Sequence, residues 1–397
     1  MTDYAQINPG KYHLGYRFPT PVIIEKLPMN AEKDHRIELR YKHSVIVNRA
    51  LYVGNVQVFR RSDSTIKVEG DSMYKSIPNQ FDVFTDYNKI EAAVADGESI
   101  TALAEFADKI LQFKQNTLYI INVGGSVEIL ESTHRHKGVA SSAAVCKTDY
   151  GVAWANEHGC YLYDGKSIID LLEKKGLQKI KESDWESFID SPMVGYFPRK
   201  RQIIVVDDIK DDGDGAIYLY DMVTTSWTKS SDAKFADAVK SNLINDWNGD
   251  LVHATGNYIK KWSDASVSST HLEFSTKDID FGQPAVRKKI YKVYLTFKGN
   301  GAHVQVNYGV DGLRPTLNFF PITSGTDGST TGTGAAAKCI AYDAGTTDWL
   351  KAELKPAASI NNVSSIRLRI SGDESSAVAA DFEINDISIV YRTKYVK

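Results

Sequence analysis

The chain has 397 residues, of which 42% are hydrophobic and 24% charged, and its 47 basic and 50 acidic residues give a net charge of −3. This composition is typical of a globular protein and lacks the basic excess with which nucleic-acid-binding surfaces neutralise phosphates. No apolar run approaches the ~18 residues of a membrane span, and the N-terminus does not have the pattern of a secretory signal. The spread of Cys146, Cys160 and Cys339 favours reduced thiols and cytosolic folding.

Short alternating runs rich in aromatic residues, bounded by Gly, Asn and Asp, predict an all-β protein. Residues 1–34 are interpreted as an extended N-terminal arm. One stretch, SIIDLLEKKGLQKIKESDWESFI, has helical spacing of Ile168, Leu171, Leu172 and Leu177. It predicts a helical insertion near 167–189 that Gly176 splits into short pieces.

The tetrapeptide Tyr-Leu-Tyr-Asp occurs twice, at 161–164 and at 218–221, and each copy closes a strand–turn–strand pattern. Similar hairpins lie near Leu118 and Ile259. Apart from the gap that holds the insertion, the spacing is about 40–45 residues, which is typical of a β-propeller blade. The sequence therefore predicts a propeller over 35–263.

About five blades are expected, with six as the alternative. The predicted blades cover residues 44–84, 100–131, 141–171, 193–229 and 242–262. The last of these lacks a fourth strand, and an open sheet edge favours aggregation. HRIELRY, His35–Tyr41, alternates as a strand does and is predicted to supply that strand and close the ring.

From His271 to Lys397 the strands become longer and alternate cleanly, which predicts a C-terminal β-sandwich over 271–397. Residues 324–338, SGTDGSTTGTGAAAK, contain no core-forming side chain and are interpreted as a mobile loop.

No motif specifies an active site, and we expect no enzymatic activity, no cofactor and no resident metal. The acidic stretch 207–215 does not fit a calcium loop, because Lys210 would occupy the first ligand position. His134 and His136 lie two residues apart but lack further zinc ligands nearby. His158 and Cys160 flank a turn glycine, so Cys160 is interpreted as a core thiol rather than a nucleophile.

Two further features have a functional and a structural interpretation. Trp227 and Trp262 could stack on a sugar, although tryptophan also fills the space between blades, which is the interpretation favoured here. The stretch 285–292, AVRKKIYK, contains four cations that could contact nucleic acid, but the strand that follows favours a solvated or interfacial edge. Propeller glycosidases use a pair of carboxylates for catalysis. The sequence leaves such a pair open as an alternative, but nothing distinguishes one pair of Asp or Glu residues from the others.

Several stretches together resemble the propeller-containing tail proteins of tailed bacteriophages, above all the nozzle, or tail accessory factor, of short-tailed phages. They include FDVFTDYNKIEAAVADGESITALAEFADKILQFKQNTLYIINV, STHRHKGVASSAAVCKTDYGVAWANEHGCYLYDG, NLINDWNGDL, STKDIDFGQPAVRKKIYKVYLTFKG and FEINDISIVYRTKYVK. The chain is shorter than the better-known nozzles, which leaves open which additional domains and partners it retains.

The resemblance implies a structural component of the virion tail, assembled in the bacterial host cytoplasm as a ring of six copies around the DNA channel. It also implies contacts with portal or adaptor proteins and with tail fibres, and passage of DNA without sequence-specific contacts. One alternative is a glycan-binding or glycan-cleaving propeller used in host attachment, and another is a non-viral adaptor propeller that binds peptides. The sequence assigns no partner-binding residue.

Overall fold

The computed structural model describes residues 22–24, 37–60, 65–92, 96–174, 176–207, 216–231, 242–255, 258–262, 272–301, 303–321, 349–356, 359–372, 378 and 381–394. The chain divides into two compact units, Met1–Trp262 and Ser263–Lys397. Among these described residues, no helix is long and apolar enough to cross a membrane.

The first unit begins with a closed five-stranded barrel. Its strands are β1 (Val22–Ile24), β2 (Ile37–Val47), β3 (Ala50–Arg60), β4 (Thr65–Ile77) and β5 (Gln80–Ile90). Consecutive strands are antiparallel, and β1 closes the barrel by pairing in parallel with β5. Leu39, Val53 and Phe84 are buried in its interior.

Four antiparallel sheets follow the barrel, and in each sheet consecutive strands are neighbours. The first sheet contains β6 (Ala102–Phe106), β7 (Lys109–Phe113), β8 (Thr117–Asn122) and β9 (Ile129–Arg135); the second sheet contains β10 (Val145–Thr148), β11 (Gly151–Asn156), β12 (Gly159–Tyr163) and β13 (Ile168–Asp170). The next elements are a hairpin of β14 (Glu173–Lys174) and β15 (Leu177–Gln178) and the helix α1 (Glu182–Glu186). The third sheet follows and contains β16 (Met193–Phe197), β17 (Gln202–Val206), β18 (Ala216–Asp221) and β19 (Ser226–Ser231). The fourth sheet contains β20 (Ile244–Asn245), β21 (Leu251–Thr255) and β22 (Tyr258–Lys261). A 3-10 helix, Ser142–Ala144, precedes β10.

Each of these sheets packs face to face against the next one in chain order. The barrel meets the first sheet through Tyr52 and Ile110, and the first meets the second through Phe113 and Trp154. The second sheet meets the third through Leu162 and Val194, and the third meets the fourth through Ile204 and Leu251. Consecutive four-stranded meanders packed in this way are the blades of a β-propeller, and the predicted propeller fold is confirmed.

The repeated Tyr-Leu-Tyr-Asp forms the third strand of a sheet and the turn that follows it. Within the second sheet, Asp164 Oδ1 accepts hydrogen bonds from the N–H groups of Lys166 and Ser167, both at 2.8 Å. In the third sheet, Asp221 Oδ1 accepts from Val223 at 2.8 Å and Thr224 at 2.9 Å. In both repeats the tyrosines pack toward the preceding sheet, so the tetrapeptide is a structural element of the blade.

The N-terminal part of the prediction needs correction. Strand β2, which contains most of His35–Tyr41, pairs with β3 and β1 and does not complete the fourth sheet. Asn48 and Arg49 both have positive φ, 49° and 63°, as a two-residue hairpin turn requires. This tight turn brings β3 directly onto β2, so the predicted first blade, 44–84, is part of the barrel.

The predicted helical insertion is mostly not helical. Ile168 lies in β13, and Gly176, with φ of 76°, lies in the turn between β14 and β15. Only five residues, Glu182–Glu186, form a helix, and the side chain of its N-terminal cap, Lys181, makes no capping hydrogen bond. Leu171, Leu172, Ile180, Trp185 and Phe188 fill the space between the second and third sheets.

The second unit is the predicted β-sandwich. Its strands are β23 (Glu273–Ser275), β24 (Arg287–Lys298), β25 (Val304–Val310), β26 (Leu317–Pro321), β27 (Leu350–Pro356), β28 (Ile360–Val363), β29 (Ile366–Gly372) and β30 (Glu383–Lys394). Strand β26 pairs with β25 in one sheet and with β27 in the other, and β24 pairs with β27, β28 and β30. Both sheets bury alternate side chains in one core, for example Phe297, Tyr308 and Leu368. Residues 324–338 lie outside the described residues.

We expect Trp185→Ala to destabilise the protein by about 3–5 kcal/mol, because Trp185 is 1% exposed and its removal leaves a large cavity. The control is Trp247→Ala, which removes a side chain that is 95% exposed and should change the free energy of unfolding by less than about 0.5 kcal/mol. Urea unfolding followed by circular dichroism measures both. Equal effects would contradict the packing described here.

Acid should weaken the turn after β12. The hydrogen bonds from Ser167 N–H and Lys166 N–H hold the pKa of Asp164 below its usual range. The resulting stabilisation is therefore complete above the unfolded-state pKa of about 3.9 and is lost as the pH falls through the lower folded-state value. Asp164→Asn keeps the acceptor but does not titrate, so its stability relative to the natural protein should improve between pH 6 and pH 3. Ser183→Ala, at an exposed position on α1, changes no titrating group and should show no such trend.

Candidate functional site

A polar cleft of about 240 Å³ opens at one end of the first three sheets. It lies where the β7–β8 turn, the β11–β12 turn and the segment entering β16 meet. The side chains that line it are mainly polar, among them Gln115, Asn116, Ser141, His158 and Asp190.

Asn156, the last residue of β11, organises this cleft. Its Nδ2 donates to the carbonyl oxygens of His136 at 3.2 Å and Gly138 at 2.8 Å. Its Oδ1 accepts from the N–H groups of His158 at 2.9 Å and Gly159 at 3.1 Å. One side chain therefore ties the β11–β12 turn to the connection between the first and second sheets.

The connection itself requires a glycine at 138. A Cβ on Gly138 would lie 2.2 Å from the carbonyl oxygen of Lys114, so a larger residue would push the connection away from the β7–β8 turn. With the connection held there, the rings of His136 and His158 meet edge to face, with centroids 5.2 Å apart.

Chemically, the cleft offers hydrogen-bond donors and acceptors. The Ser141 hydroxyl accepts from Ala143 N at 3.2 Å and so caps the 3-10 helix. His134 hydrogen-bonds Ser132 at 3.0 Å on β9, so the two histidines of STHRHKG lie in different surroundings. Within the described part of the chain, no three or more His, Cys, Asp or Glu residues are grouped to hold a metal ion.

A second surface of interest is the outer face of the fourth sheet. Because residues paired across antiparallel strands share a face, Ile244 and Val252 lie together with Ala254 and Ile259. Ile244 is 60% and Ile259 is 81% exposed. The opposite face of the sheet, with Leu243, is buried against the third sheet. Val252 and Ala254 are half-buried, and Lys261, which pairs with Val252, lies on the same face. We call the set of Ile244, Val252, Ala254 and Ile259 the open sheet face.

Next to this sheet, a rigid turn presents Trp247 to solvent. Asp246 Oδ1 accepts from the N–H groups of Asn248 and Asp250, both at 2.8 Å. The buried Asp250 carboxylate pairs with Arg199 at 3.1 Å and with Lys261. Trp247, in contrast, is 95% exposed, so a large apolar side chain is presented on a fixed backbone.

Cys160 is a core thiol, as predicted. It is buried between the second and third sheets, whereas His158 lies in the β11–β12 turn beside His136. Burial raises the pKa of Cys160 well above its usual value and that of Cys146 to about 12. Both thiols are therefore held in the un-ionised form, which is a poor nucleophile.

Trp227 and Trp262 fill the space between sheets, as expected. The indole N–H of Trp227 donates to Leu171 O at 2.9 Å, and its ring contacts Tyr220. Trp262 is 9% exposed in the cluster between the third and fourth sheets. Both indoles therefore take part in packing between sheets.

The basic stretch at 285–292 belongs to the second unit and engages its own fold. Lys288 is fully buried and donates to the carbonyl oxygens of Gln283, Val286 and Ser364 at 2.6–2.9 Å. Arg287 pairs with Asp311 at 3.3 Å and Lys292 with Glu353 at 2.5 Å. The interpretation as a solvated or interfacial edge fits these contacts better than a phosphate-binding patch. Of the acidic stretch 207–215, residues 208–215 lie outside the described residues.

Sequence reasoning missed Asn156, Trp185 and Trp247. Asn156 is the first residue of the sequence NEHG. That sequence indicates a turn, but it does not indicate which residues across the cleft the Asn156 side chain contacts. Trp185 was included in the helical pattern, although its indole N–H donates to Asn156 O at 2.9 Å and so supports the cleft from behind. Trp247 lies in a turn rich in Asn and Asp. Its sequence signal is that of a large apolar residue that does not belong to the alternating pattern of a strand.

No family model matches the chain, and no curated protein matches it. Three solved structures illustrate the similarities that exist. The N-terminal domain of Nup159 is 10% identical with a TM-score of 0.32, over 61% of this chain and 83% of that one. The extracellular domain of BT4673 from B. thetaiotaomicron is 13% identical with a TM-score of 0.32, over 70% of this chain and 40% of that one. The WD40 domain of SCAP from fission yeast is 8% identical with a TM-score of 0.31, over 86% of this chain and 99% of that one.

These scores are too low to support an argument about function. The fold described above rests on the strand pairing and on the packing of the sheets.

Cys160 is buried and Cys146 is half-buried, and both thiols should be inert in the folded protein. In a Cys339→Ser variant at pH 8, we expect a disulfide-exchange reagent to react with Cys146 and Cys160 at least a hundredfold more slowly than in urea, because little thiolate forms when both pKa values are raised. A Val223→Cys variant, changed at a position that is 66% exposed, gives the reactive control. Rapid labelling of Cys160 in the folded state would contradict its burial.

Proposed function

We propose that the protein is a structural component of a bacteriophage tail, of the nozzle or hub type, that assembles as a ring around the DNA channel. The open sheet face is the observation that carries this proposal. In the three preceding sheets the two middle strands bury side chains on both faces, and the exposed Ile129 and Ile169 lie in the outermost strands. In the fourth sheet, Ile244 and Ile259 are exposed on one face. Exposed apolar faces of this kind are typical of surfaces that are covered on assembly.

Two other features support the proposal. Trp247 stands on a rigid turn beside the open sheet face, and exposed tryptophans are common anchors of protein interfaces. The near balance of charge, 47 basic against 50 acidic residues, suits a ring through which DNA passes without being held. The proposed position in the virion is the one that the sequence resemblance to phage tail proteins implies.

A second candidate function, glycan binding in host attachment, is supported by the polar cleft around Asn156 and His158. The cleft presents several hydrogen-bonding side chains, and a volume of about 240 Å³ would accommodate a small polar ligand. This second function predicts that a bound sugar raises the melting temperature of the protein and that Asn156→Ala removes this effect.

We expect the purified protein to form rings that mass photometry resolves and that join portal–adaptor complexes of the phage that encodes it. Ile259→Glu should weaken assembly at least tenfold while leaving the melting temperature of the subunit unchanged, because it places a charge on the open sheet face.

The matched control is Val223→Glu, since Val223 is also exposed but lies in the turn between β18 and β19. A natural protein that stays monomeric at its highest soluble concentration and does not join portal–adaptor complexes would contradict the proposal. Cleavage or binding of a host polysaccharide by such a monomer would favour the second candidate.

A further inference from the structure

Two turns that contact each other form a basic surface around Trp247. The β16–β17 turn carries three consecutive exposed cations, Arg199, Lys200 and Arg201. Arg199 donates to the carbonyl oxygen of Asn248 in the β20–β21 turn at 3.1 Å, so the two turns lie against each other. We call residues 198–201, 246–250 and Lys261 together the basic protrusion.

The basic protrusion has a net positive charge. Its charged residues are four cations, Arg199, Lys200, Arg201 and Lys261, and two carboxylates, Asp246 and Asp250, which leaves a charge of +2. Both carboxylates are engaged within the protrusion. Asp250 pairs with Arg199 and Lys261, and Asp246 accepts the N–H groups of Asn248 and Asp250. The surface therefore presents positive charge beside one indole that is 95% exposed.

The polar cleft has the opposite charge. Among the residues that line it are two carboxylates, those of Glu157 and Asp190, and neither Lys nor Arg. The Glu157 carboxylate lies 3.4 Å from Nε2 of His158, and Asp190 is exposed before the start of β16. The charges of the cleft and of the basic protrusion are thus complementary, which favours and orients association.

The size and walls of the cleft suit an indole. Its volume of about 240 Å³ is below the ~300–1,000 Å³ of sites for drug-sized ligands, so it suits a single large side chain. Ala144, Ala155 and Pro192 are buried and line it together with polar residues such as Gln115 and Asn116. A tryptophan needs both kinds of wall, because it has an apolar body and one N–H donor.

The basic protrusion and the cleft lie at opposite ends of the sheets. In an antiparallel meander, the turn between strands one and two is at one end and the turn between strands two and three is at the other. The basic protrusion is built mainly from first turns, and the β10–β11 turn lies at the same end, since the Tyr196 hydroxyl donates to Asp149 at 3.0 Å. The cleft is built from the second turns β7–β8 and β11–β12 and from the segment entering β16. Five residues of β16, at about 3.3 Å each, separate the two ends by about 16 Å.

We propose that Trp247 of one copy inserts into the polar cleft of the next copy, with the basic protrusion against the carboxylates of Glu157 and Asp190. Because the two surfaces lie at opposite ends of the sheets, Trp247 does not reach the cleft of its own copy. The contact joins two different surfaces, and such head-to-tail contacts generate rings when the rotation between copies closes. This inference rests on the ring assembly proposed above and assigns one of its contacts.

Single substitutions on each surface test the contact. Trp247→Ala removes the anchor and Asp190→Lys reverses a charge of the cleft, so each should raise the subunit dissociation constant at least tenfold in analytical ultracentrifugation. The matched controls are Val223→Ala, at a position that is 66% exposed, and Asp184→Lys, at an exposed position on α1. Both controls should assemble like the natural protein. The melting temperature of the subunit should be unchanged in all four variants.

Mixing the two impaired variants tests the head-to-tail arrangement. The Trp247→Ala chain keeps its cleft, and the Asp190→Lys chain keeps its Trp247, so one functional contact remains between the two chains. We expect an equimolar mixture to form a dimer that contains one of each chain and does not grow, at concentrations where each variant alone is monomeric.

The outcomes separate this inference from the proposed function. The mixed dimer supports the contact between Trp247 and the cleft. Assembly of Trp247→Ala equal to that of the natural protein, or two impaired variants that do not dimerise on mixing, would overturn the contact and leave the ring intact. A natural protein that stays monomeric at its highest soluble concentration would overturn the contact, and it would overturn the proposed function as well if it does not join portal–adaptor complexes.

Discussion

The fold of the first unit depends on face-to-face packing of successive antiparallel sheets. Each sheet is too thin to bury apolar side chains by itself, so its two faces need neighbours. Tyr161 and Tyr163 of the second sheet pack toward the first sheet, while Leu162 between them packs toward the third. Because side chains alternate along a strand, each sheet packs against both of its neighbours. The packing of one sheet therefore depends on the sheets on either side of it.

This constraint explains why the segment between the second and third sheets is not a free insertion. Trp185 and Phe188 come from α1 and the residues after it, yet they pack with Tyr218 of the third sheet. The same segment supports the polar cleft, because the Trp185 indole is bonded to the carbonyl oxygen of Asn156. Core packing and the shape of the cleft are therefore coupled through one side chain.

The same packing rule gives the fourth sheet its importance. Among the described residues, the fourth sheet leaves Ile244 and Ile259 exposed and has three strands. At the N-terminal end a closed barrel takes the place of a further blade. The exposed Ile244 and Ile259 of the fourth sheet are the feature on which the ring proposed above depends.

The sequence by itself determined the elements whose cause is local. Alternation predicted the strands, the spacing of hairpins predicted the repeated sheets, and the repeated Tyr-Leu-Tyr-Asp marked their third strands, since an Asp side chain can satisfy the backbone of the turn that follows it. Tertiary structure alone decided which strands pair and which faces stay uncovered. β2 alternates as the expected closing strand would, but the tight turn at Asn48 and Arg49 makes pairing with β3 the shorter loop to close. Likewise, the spacing of Leu171 and Leu172 fits a helix, but burial between two sheets fixed their backbone instead.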